Sequence, residues 1–163
     1  MRKTLKTTAL TTAAFGPYGD LIEISGAPDK MINQGMCGRY HDLATLDFKD
    51  GRAGISLFDA KARALPHVID MVERHPMGSQ AFLPLSPLRF LVVVADDAGG
   101  TPTNLKAFIA TPGQGINLHR GIWHGVLCPL DTPGKFAVID RIGAGNNLEE
   151  HWFDAPYEVN SME

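Results

Sequence analysis

The chain has 163 residues, of which 44% are hydrophobic and 20% are charged, and its net charge at pH 7 is −3. A chain of this length buries a substantial core, so we predict a single domain over residues 1–163. Because Lys and Arg are scattered and form no cationic stripe, the composition argues against a nucleic-acid-binding protein.

No segment of the sequence predicts a membrane span or a cleaved leader. Residues 1–10 begin with basic side chains, but Thr and Lys interrupt the apolar run of about 7–15 residues that a leader needs. The longest apolar run, Phe90–Ala95, is too short to cross a bilayer and suits a strand buried on both faces. Cys37 and Cys128 lie far apart, and we expect two buried thiols in a reduced, cytoplasmic protein.

Turn residues interrupt the chain about every ten residues, and most segments between them favour a strand. After a first strand within residues 1–10, we expect one helical turn through Phe15, capped by Thr12. The strands predicted next are Leu21–Ile24, Ala53–Phe58, His67–His75, Gln80–Pro84, Phe90–Ala95, Lys106–Ala110, Gly115–His119, His124–Leu127, Lys135–Asp140 and Glu149–Phe153. Eleven prolines and seventeen glycines argue against long helices. The sequence therefore predicts an all-β fold, an antiparallel sandwich or barrel with minor short helices.

The segment Glu73–Phe82 carries the first group of ionisable side chains. In an extended strand Glu73 and His75 point to one side, which they share with Ile69 and Met71. A carboxylate and an imidazole at the end of an apolar strand face are typical of a pocket wall with few, convergent polar groups. The alternative is that both side chains reach solvent at the end of the strand.

The second group lies in the segment His119–His124. Side chains five residues apart in a strand point to opposite faces, so the two histidines share a site only if a bulge at Gly121 interrupts the strand. His119 is the stronger site candidate, and His124 is expected at the rim of the site or in a hydrogen bond. Trp123 has the strand parity of His119, but an aromatic residue beside a pocket is usually packing.

The order of the two groups is similar to that in cupin barrels, where His-x-His-x(4)-Glu and a later Gly-rich turn with a His hold a metal. Here the early segment reads Glu73-x-His75-x(4)-Gln80, and the later one runs from Pro112 to His119. Gln80, a weak donor to metals, stands in the Glu position. The possible metal ligands that remain are His75, His119 and Glu73, a set that suits Zn, Ni, Mn or Fe. The alternative is a pocket without metal, in which the same groups act as acid, base and orienting residue.

Motifs along nearly the whole chain resemble the ureidoglycolate lyase family. The matching segments, in order, are Phe15–Asp20, Arg39–Leu43, Glu73–Phe82, Leu105–Ile109, Gly115–His124 and Ile139–Arg141. The resemblance implies a cupin-like (RmlC-like) β-barrel, a homodimer, and cleavage of (S)-ureidoglycolate to glyoxylate and urea in allantoin and purine catabolism. Some members are described with a nickel ion, which Gln80 does not favour.

This reaction needs a base, an acid and a cation, because one carbon bears the carboxylate, the hydroxyl and the departing urea nitrogen. The candidate catalytic residues are His75, His119 and Glu73. The candidate substrate-binding residues are Arg39, Gln80, Lys106, Arg141, His124 and Trp123, and Arg120 is a further candidate for holding the carboxylate. For each arginine alone, the alternative is a solvated charge or a structural ion pair.

Two other functions fit the same residues. A cupin-like binding module that senses a small carboxylate would keep the arginines and the apolar wall without an acid–base pair. A metal-dependent oxygenase needs two histidines and one carboxylate with open positions, which Glu73, His75 and His119 supply.

Overall fold

The computed structural model describes residues 2–162. Its elements are β1 (Lys3–Ala9), α1 (Thr12–Phe15), β2 (Gly19–Ile22), β3 (Lys30–Ile32), a 3₁₀ turn (Asn33–Gly35), β4 (Cys37–Arg39), β5 (Arg52–Ala60), β6 (His67–Arg74), β7 (Gln80–Pro84), β8 (Arg89–Asp97), β9 (Pro102–Ala110), β10 (Gly115–Leu118), β11 (Trp123–His124), β12 (Cys128–Leu130), β13 (Gly134–Ile142) and β14 (Glu149–Asn160). Within this part of the chain, neither helical segment is long and apolar enough to span a membrane.

Six strands close into a barrel in the order β11–β6–β14–β1–β9–β8, with β8 paired back to β11 and β12 added beside β8. The pairings are antiparallel except at β1, which runs parallel to both β14 and β9. Closure of the ring pairs both edges of each of these strands, which removes exposed edges.

A five-stranded sheet in the order β2–β10–β7–β13–β5 packs against the barrel. Strand β8 lies between two cores, because Leu91 and Val93 belong to one apolar cluster and Phe90 and Val92 to the other. The cluster that contains Phe90 and Val92 also contains Phe136 of the five-stranded sheet. The two cores confirm the prediction that the run Phe90–Ala95 is buried on both faces.

The structure confirms the predicted all-β barrel with minor short helices. Several details of the prediction are wrong. The barrel is not antiparallel throughout, because β1 runs parallel to both of its neighbours, and the predicted strand His124–Leu127 is absent, because β11 ends at His124 and β12 begins at Cys128. The side chain that caps α1 is Thr11, which accepts a hydrogen bond from the Ala14 N–H, rather than Thr12. Cys37 is exposed rather than buried, because it lies on the small β3–β4 hairpin and outside both cores, whereas Cys128 is a buried free thiol as expected.

Candidate active site

Glu73, His75 and His124 form a compact cluster where β6 and β11 meet. His124 is aligned with Glu73 of β6 on one side and with Val94 of β8 on the other. One ligand atom from each of the three residues lies within 4.8 Å of the others. The distance from His75 Nε2 to Glu73 Oε1 is 3.9 Å, and the two imidazole centroids are 5.2 Å apart. The short strand β11 therefore brings together two histidines that are far apart in the sequence.

Backbone carbonyls fix the proton position on both imidazoles. His75 Nδ1 lies 2.8 Å from the Asn147 carbonyl oxygen, and His124 Nδ1 lies 3.0 Å from the Gly125 carbonyl oxygen. Since a carbonyl oxygen only accepts, each neutral ring carries its proton on Nδ1 and a lone pair on Nε2. Both Nε2 atoms are buried and have no hydrogen-bond partner. Leaving such atoms unpaired is costly, so the cluster is suited to binding a cation or a substrate hydrogen.

Burial shifts the protonation of this cluster. Burial, with a smaller contribution from the neighbouring His75, lowers the pKa of His124 to about 4, so its ring is neutral at pH 7. Burial raises the pKa of Glu73; the nearby Glu150 carboxylate adds to the rise, and His75 opposes it. A carboxyl group with a raised pKa exchanges its proton closer to neutral pH than an exposed one does.

The pKa of His124 leads us to expect a specific pH dependence of stability in the metal-free protein. The ordinary histidine pKa is 6.5, whereas the folded protein protonates His124 only near pH 4. The unfolded chain therefore binds the proton first, and stability falls as the pH drops from 6.5 towards 4. We expect this residue to contribute a loss of roughly 3 kcal/mol across that window. Urea denaturation at several pH values should show a smaller loss for His124→Asn than for the wild type; equal losses would contradict this assignment.

Glu73 and Gln80 line one cavity of about 660 Å³. The Gln80 side chain is 6% exposed, and its Nε2 donates to Asp140 Oδ2 at 3.2 Å. This contact fixes the amide, because a carboxylate accepts only from the nitrogen. The Gln80 Oε1 atom is then left buried without a partner. The remaining lining residues are Phe58, Asp59, Ala60, Lys61, Arg63, Phe82, Val126 and Leu127.

Lys61 and Arg63 give this cavity two cationic side chains, which sequence reasoning missed. Both follow β5 in an exposed segment that contains no recognisable motif. They line the cavity because they directly follow the end of β5, whose last three residues line it as well. Only their position after an apolar strand could have indicated them.

His119, which the sequence favoured for the cluster, lies elsewhere. Strand β10 ends at Leu118, and His119 Nε2 lies 3.1 Å from Asp20 Oδ1, with 42% of the His119 side chain exposed. Gly121, at φ 79°, lies in the turn that leads into β11 and its pairing with β6. The chain does turn at Gly121, but the turn separates the two histidines: it brings His124 into the cluster, in the place expected for His119.

Two of the predicted substrate-binding residues are held in structural contacts and do not line the cavity that contains Glu73. Arg141 is buried, pairs with the Asp50 carboxylate and donates to the Ala144 carbonyl oxygen. Trp123 Nε1 donates to a carboxylate oxygen of Asp97 at 2.9 Å, and its ring is part of a buried core. Both side chains stabilise the fold at the positions that the structure gives them.

The other predicted cations also lie outside the residues that line this cavity. Lys106 Nζ lies 5.3 Å from the centroid of the Tyr18 ring, and Arg39 is exposed on strand β4. Arg120 forms an exposed ion pair with Asp47 at 3.0 Å. Of the predicted polar residues, the structure thus groups Glu73, His75, Gln80 and His124 around one region.

Comparison with known proteins identifies close relatives. Residues 2–160 match the family described as ureidoglycolate lyase. The ureidoglycolate lyase of Rhodobacter capsulatus is 62% identical over 151 residues, which cover 92% of this chain and 94% of that protein. Ureidoglycolate lyase 2 of Rhizobium meliloti is 49% identical over 152 residues, with 92% and 93% covered.

Among solved structures, RmlC from Streptococcus suis in complex with dTDP-D-xylose is similar with a TM-score of 0.40 and 12% sequence identity. The match covers 83% of this chain and 56% of the RmlC chain, so this chain spans little more than half of that protein.

Proposed function

The chain belongs to the ureidoglycolate lyase family, and we propose that its Glu73 cavity cleaves (S)-ureidoglycolate into glyoxylate and urea. The chain is therefore a carbon–nitrogen lyase, an enzyme class that its named relatives share. The observation that carries the site assignment is the cluster itself. A carboxyl group with a raised pKa lies beside two unpaired imidazole nitrogens, at a cavity that two cationic side chains also line.

Two groups at the cavity suit the ends of the substrate. The guanidinium of Arg63 offers a planar pair of donors for the substrate carboxylate, with Lys61 as a second positive charge. Gln80 Oε1 accepts a hydrogen bond from the ureido N–H, which satisfies an acceptor that is otherwise buried and unpaired. Asp140 holds the Gln80 amide in the orientation that presents this oxygen. The substrate is thereby fixed at its two ends.

In the proposed reaction Glu73 transfers a proton from the substrate hydroxyl to the departing urea nitrogen. One carboxylate oxygen takes the hydroxyl proton of the substrate, the carbon–oxygen double bond of glyoxylate forms, and the carbon–nitrogen bond breaks. Glu73 then returns the same proton to the departing urea nitrogen, so no other acid or base is consumed. The raised pKa of Glu73 suits this double role, because the group must both gain and lose a proton near neutral pH.

The donor set also fits a divalent metal. His75 and His124 each direct an unpaired Nε2 lone pair towards the cluster, and each is oriented through Nδ1 by a backbone carbonyl, as metal-binding histidines commonly are. Glu73 would supply one carboxylate oxygen to such a metal, and its other oxygen would remain for proton transfer. A metal such as nickel in this position would act as a Lewis acid that favours loss of the substrate hydroxyl proton.

The proposal also covers the oligomeric state of the protein and its place in the cell. The family resemblance implies a homodimer, and we include a second copy of this chain as its partner. Catabolism of a small polar metabolite and the two free thiols favour the cytoplasm.

A turnover assay separates this function from the alternatives. The purified protein, assayed with (S)-ureidoglycolate with and without nickel, is expected to release urea and glyoxylate in equal amounts and to consume no oxygen. Binding of the substrate without release of urea would support a binding module. Oxygen uptake would support an oxygenase.

Replacing the proposed carboxylate-binding residue should mainly weaken substrate binding. We expect Arg63→Gln to raise KM about 10–100-fold with a smaller change in kcat. A hydrogen bond to a charged group contributes roughly 1.5–3 kcal/mol, and this contribution is the same for the bound substrate and for the transition state, so its loss changes KM rather than kcat. Arg120→Gln, which removes an exposed arginine from an ion pair outside the cavity, is the matched control and should change KM little. Equal effects of the two substitutions on KM would remove Arg63 from the site.

A further inference from the structure

Strand β5 is an open edge of the five-stranded sheet. It spans nine residues and, within residues 2–162, has β13 as its one strand neighbour. The centre of its outward face is apolar and exposed, with Ile55 77% exposed and Leu57 69% exposed. A long, apolar, unpaired edge of this kind readily pairs with another strand, and proteins usually cover it.

The sequence of β5 is self-complementary when the strand is paired antiparallel with a copy of itself. Pairing centred on Ser56 sets Ile55 directly opposite Leu57 of the partner subunit, and Leu57 opposite the partner's Ile55. Both residues lie on the outer face, because a two-fold axis perpendicular to the sheet preserves the faces. Cross-strand pairs of β-branched and large apolar side chains are a main source of sheet stability.

Charge at the two ends of β5 favours the same direction. Arg52 begins the strand and Asp59 lies near its end, and neither takes part in an ion pair among the described residues. In the antiparallel arrangement Arg52 lies opposite Ala60 of the partner subunit and Asp59 lies opposite the partner's Ala53, so that like charges are kept apart. A parallel arrangement would bring like charges together, which disfavours it.

Space on the inner face is also complementary. In this register Phe58, which is 36% exposed, lies opposite Gly54 of the partner subunit. A Cβ atom at Gly54 would meet the Ile142 side chain at 2.3 Å, so Ile142 already covers that glycine with an apolar, 40% exposed side chain. Each Phe58 would therefore contact the partner's Ile142 rather than water.

From these features we propose that β5 is the dimer interface, paired antiparallel with β5 of a second copy about a two-fold axis at Ser56. The inference names the surface of the homodimer proposed above and does not depend on the reaction. It also connects assembly to the site, because Phe58, Asp59 and Ala60 of β5 line the Glu73 cavity. Pairing of β5 would hold that wall in place, and the monomer is expected to bind substrate more weakly.

Charged substitutions on β5 test the interface. Ile55→Lys and Leu57→Lys each alter two symmetry-related apolar pairs, so each should raise the dimer Kd about tenfold or more. Ile24→Lys is the matched control, because Ile24 is also 77% exposed but lies outside β5. Sedimentation velocity over a concentration series measures all three with the wild type. A wild type that is monomeric throughout, or a control that dissociates as readily as Ile55→Lys, would overturn the proposal whatever the enzyme's activity.

A single cysteine tests the register. Directly opposed residues of antiparallel strands have Cα atoms about 4.5–5.5 Å apart, which is within disulfide range. In a Cys37→Ser background, which removes the exposed native thiol, Ser56→Cys is expected to form a disulfide-linked dimer on mild oxidation. Ser86→Cys, in an exposed turn outside β5, should stay monomeric on a non-reducing gel. Failure of Ser56→Cys to cross-link while the protein is dimeric would overturn the Ser56 register.

Discussion

Glu73→Gln is expected to lower kcat about 10²–10⁴-fold, which is the usual effect of removing a positioned acid or base. Glutamine keeps the shape of the side chain and can still form hydrogen bonds, but its amide cannot act as an acid or a base near neutral pH. Binding should change less, because the substrate carboxylate and the ureido group contact Arg63 and Gln80 in this proposal. Steady-state kinetics of urea release, with circular dichroism to check the fold, gives the measurement.

His119→Ala is the control that makes the Glu73 result specific. The His119 side chain lies 3.1 Å from Asp20 and outside the Glu73 cluster, so its loss should change kcat by no more than a few-fold. A steep loss in His119→Ala together with an active Glu73→Gln variant would move the catalytic site to the His119–Asp20 pair.

His124→Ala is expected to weaken nickel binding more than about 100-fold, since loss of a hydrogen-bond partner behind a ligand already costs 10–100-fold. The reason is the unpaired Nε2 of His124, which is buried beside His75 and Glu73. Isothermal titration of the metal-free protein with nickel alone measures the affinity without reference to activity.

The matched variant for nickel binding is again His119→Ala, which removes an imidazole that the structure places outside the cluster. It should bind nickel as the wild type does. Wild-type protein that does not bind nickel, or equal affinities in His124→Ala and the wild type, would leave the cluster as a metal-free acid–base site.

Local rules predicted the neighbourhood of Glu73 and His75, the part of the candidate site that one strand carries. The two-residue period of a strand placed Glu73 and His75 on one side, and they are neighbours in the structure. The same rule failed at the second motif, because it could not tell which histidine follows the turn at Gly121 into a new strand. The choice of His124 over His119 depends on pairing of β11 with β6 and β8, which is tertiary information.

Long-range placement also explains the missed cations and strands. Lys61 and Arg63 line the cavity that Glu73 also lines only because of the course of the chain between β5 and β6, and no local pattern encodes that course. The strands β3, β4 and β12 have three residues each, which is too short for a period to be recognised. The apolar run in β8, by contrast, is long enough that its burial on both faces was predictable from the sequence.

A crystal structure of the protein with glyoxylate bound tests the central claim most directly. We expect the glyoxylate carboxylate to lie at Arg63 or Lys61 and its aldehyde carbon to lie next to Glu73, within the cavity that Gln80 also lines. Glyoxylate bound instead at the exposed His119–Asp20 pair, with the Glu73 cavity holding only water, would contradict the assignment of the active site.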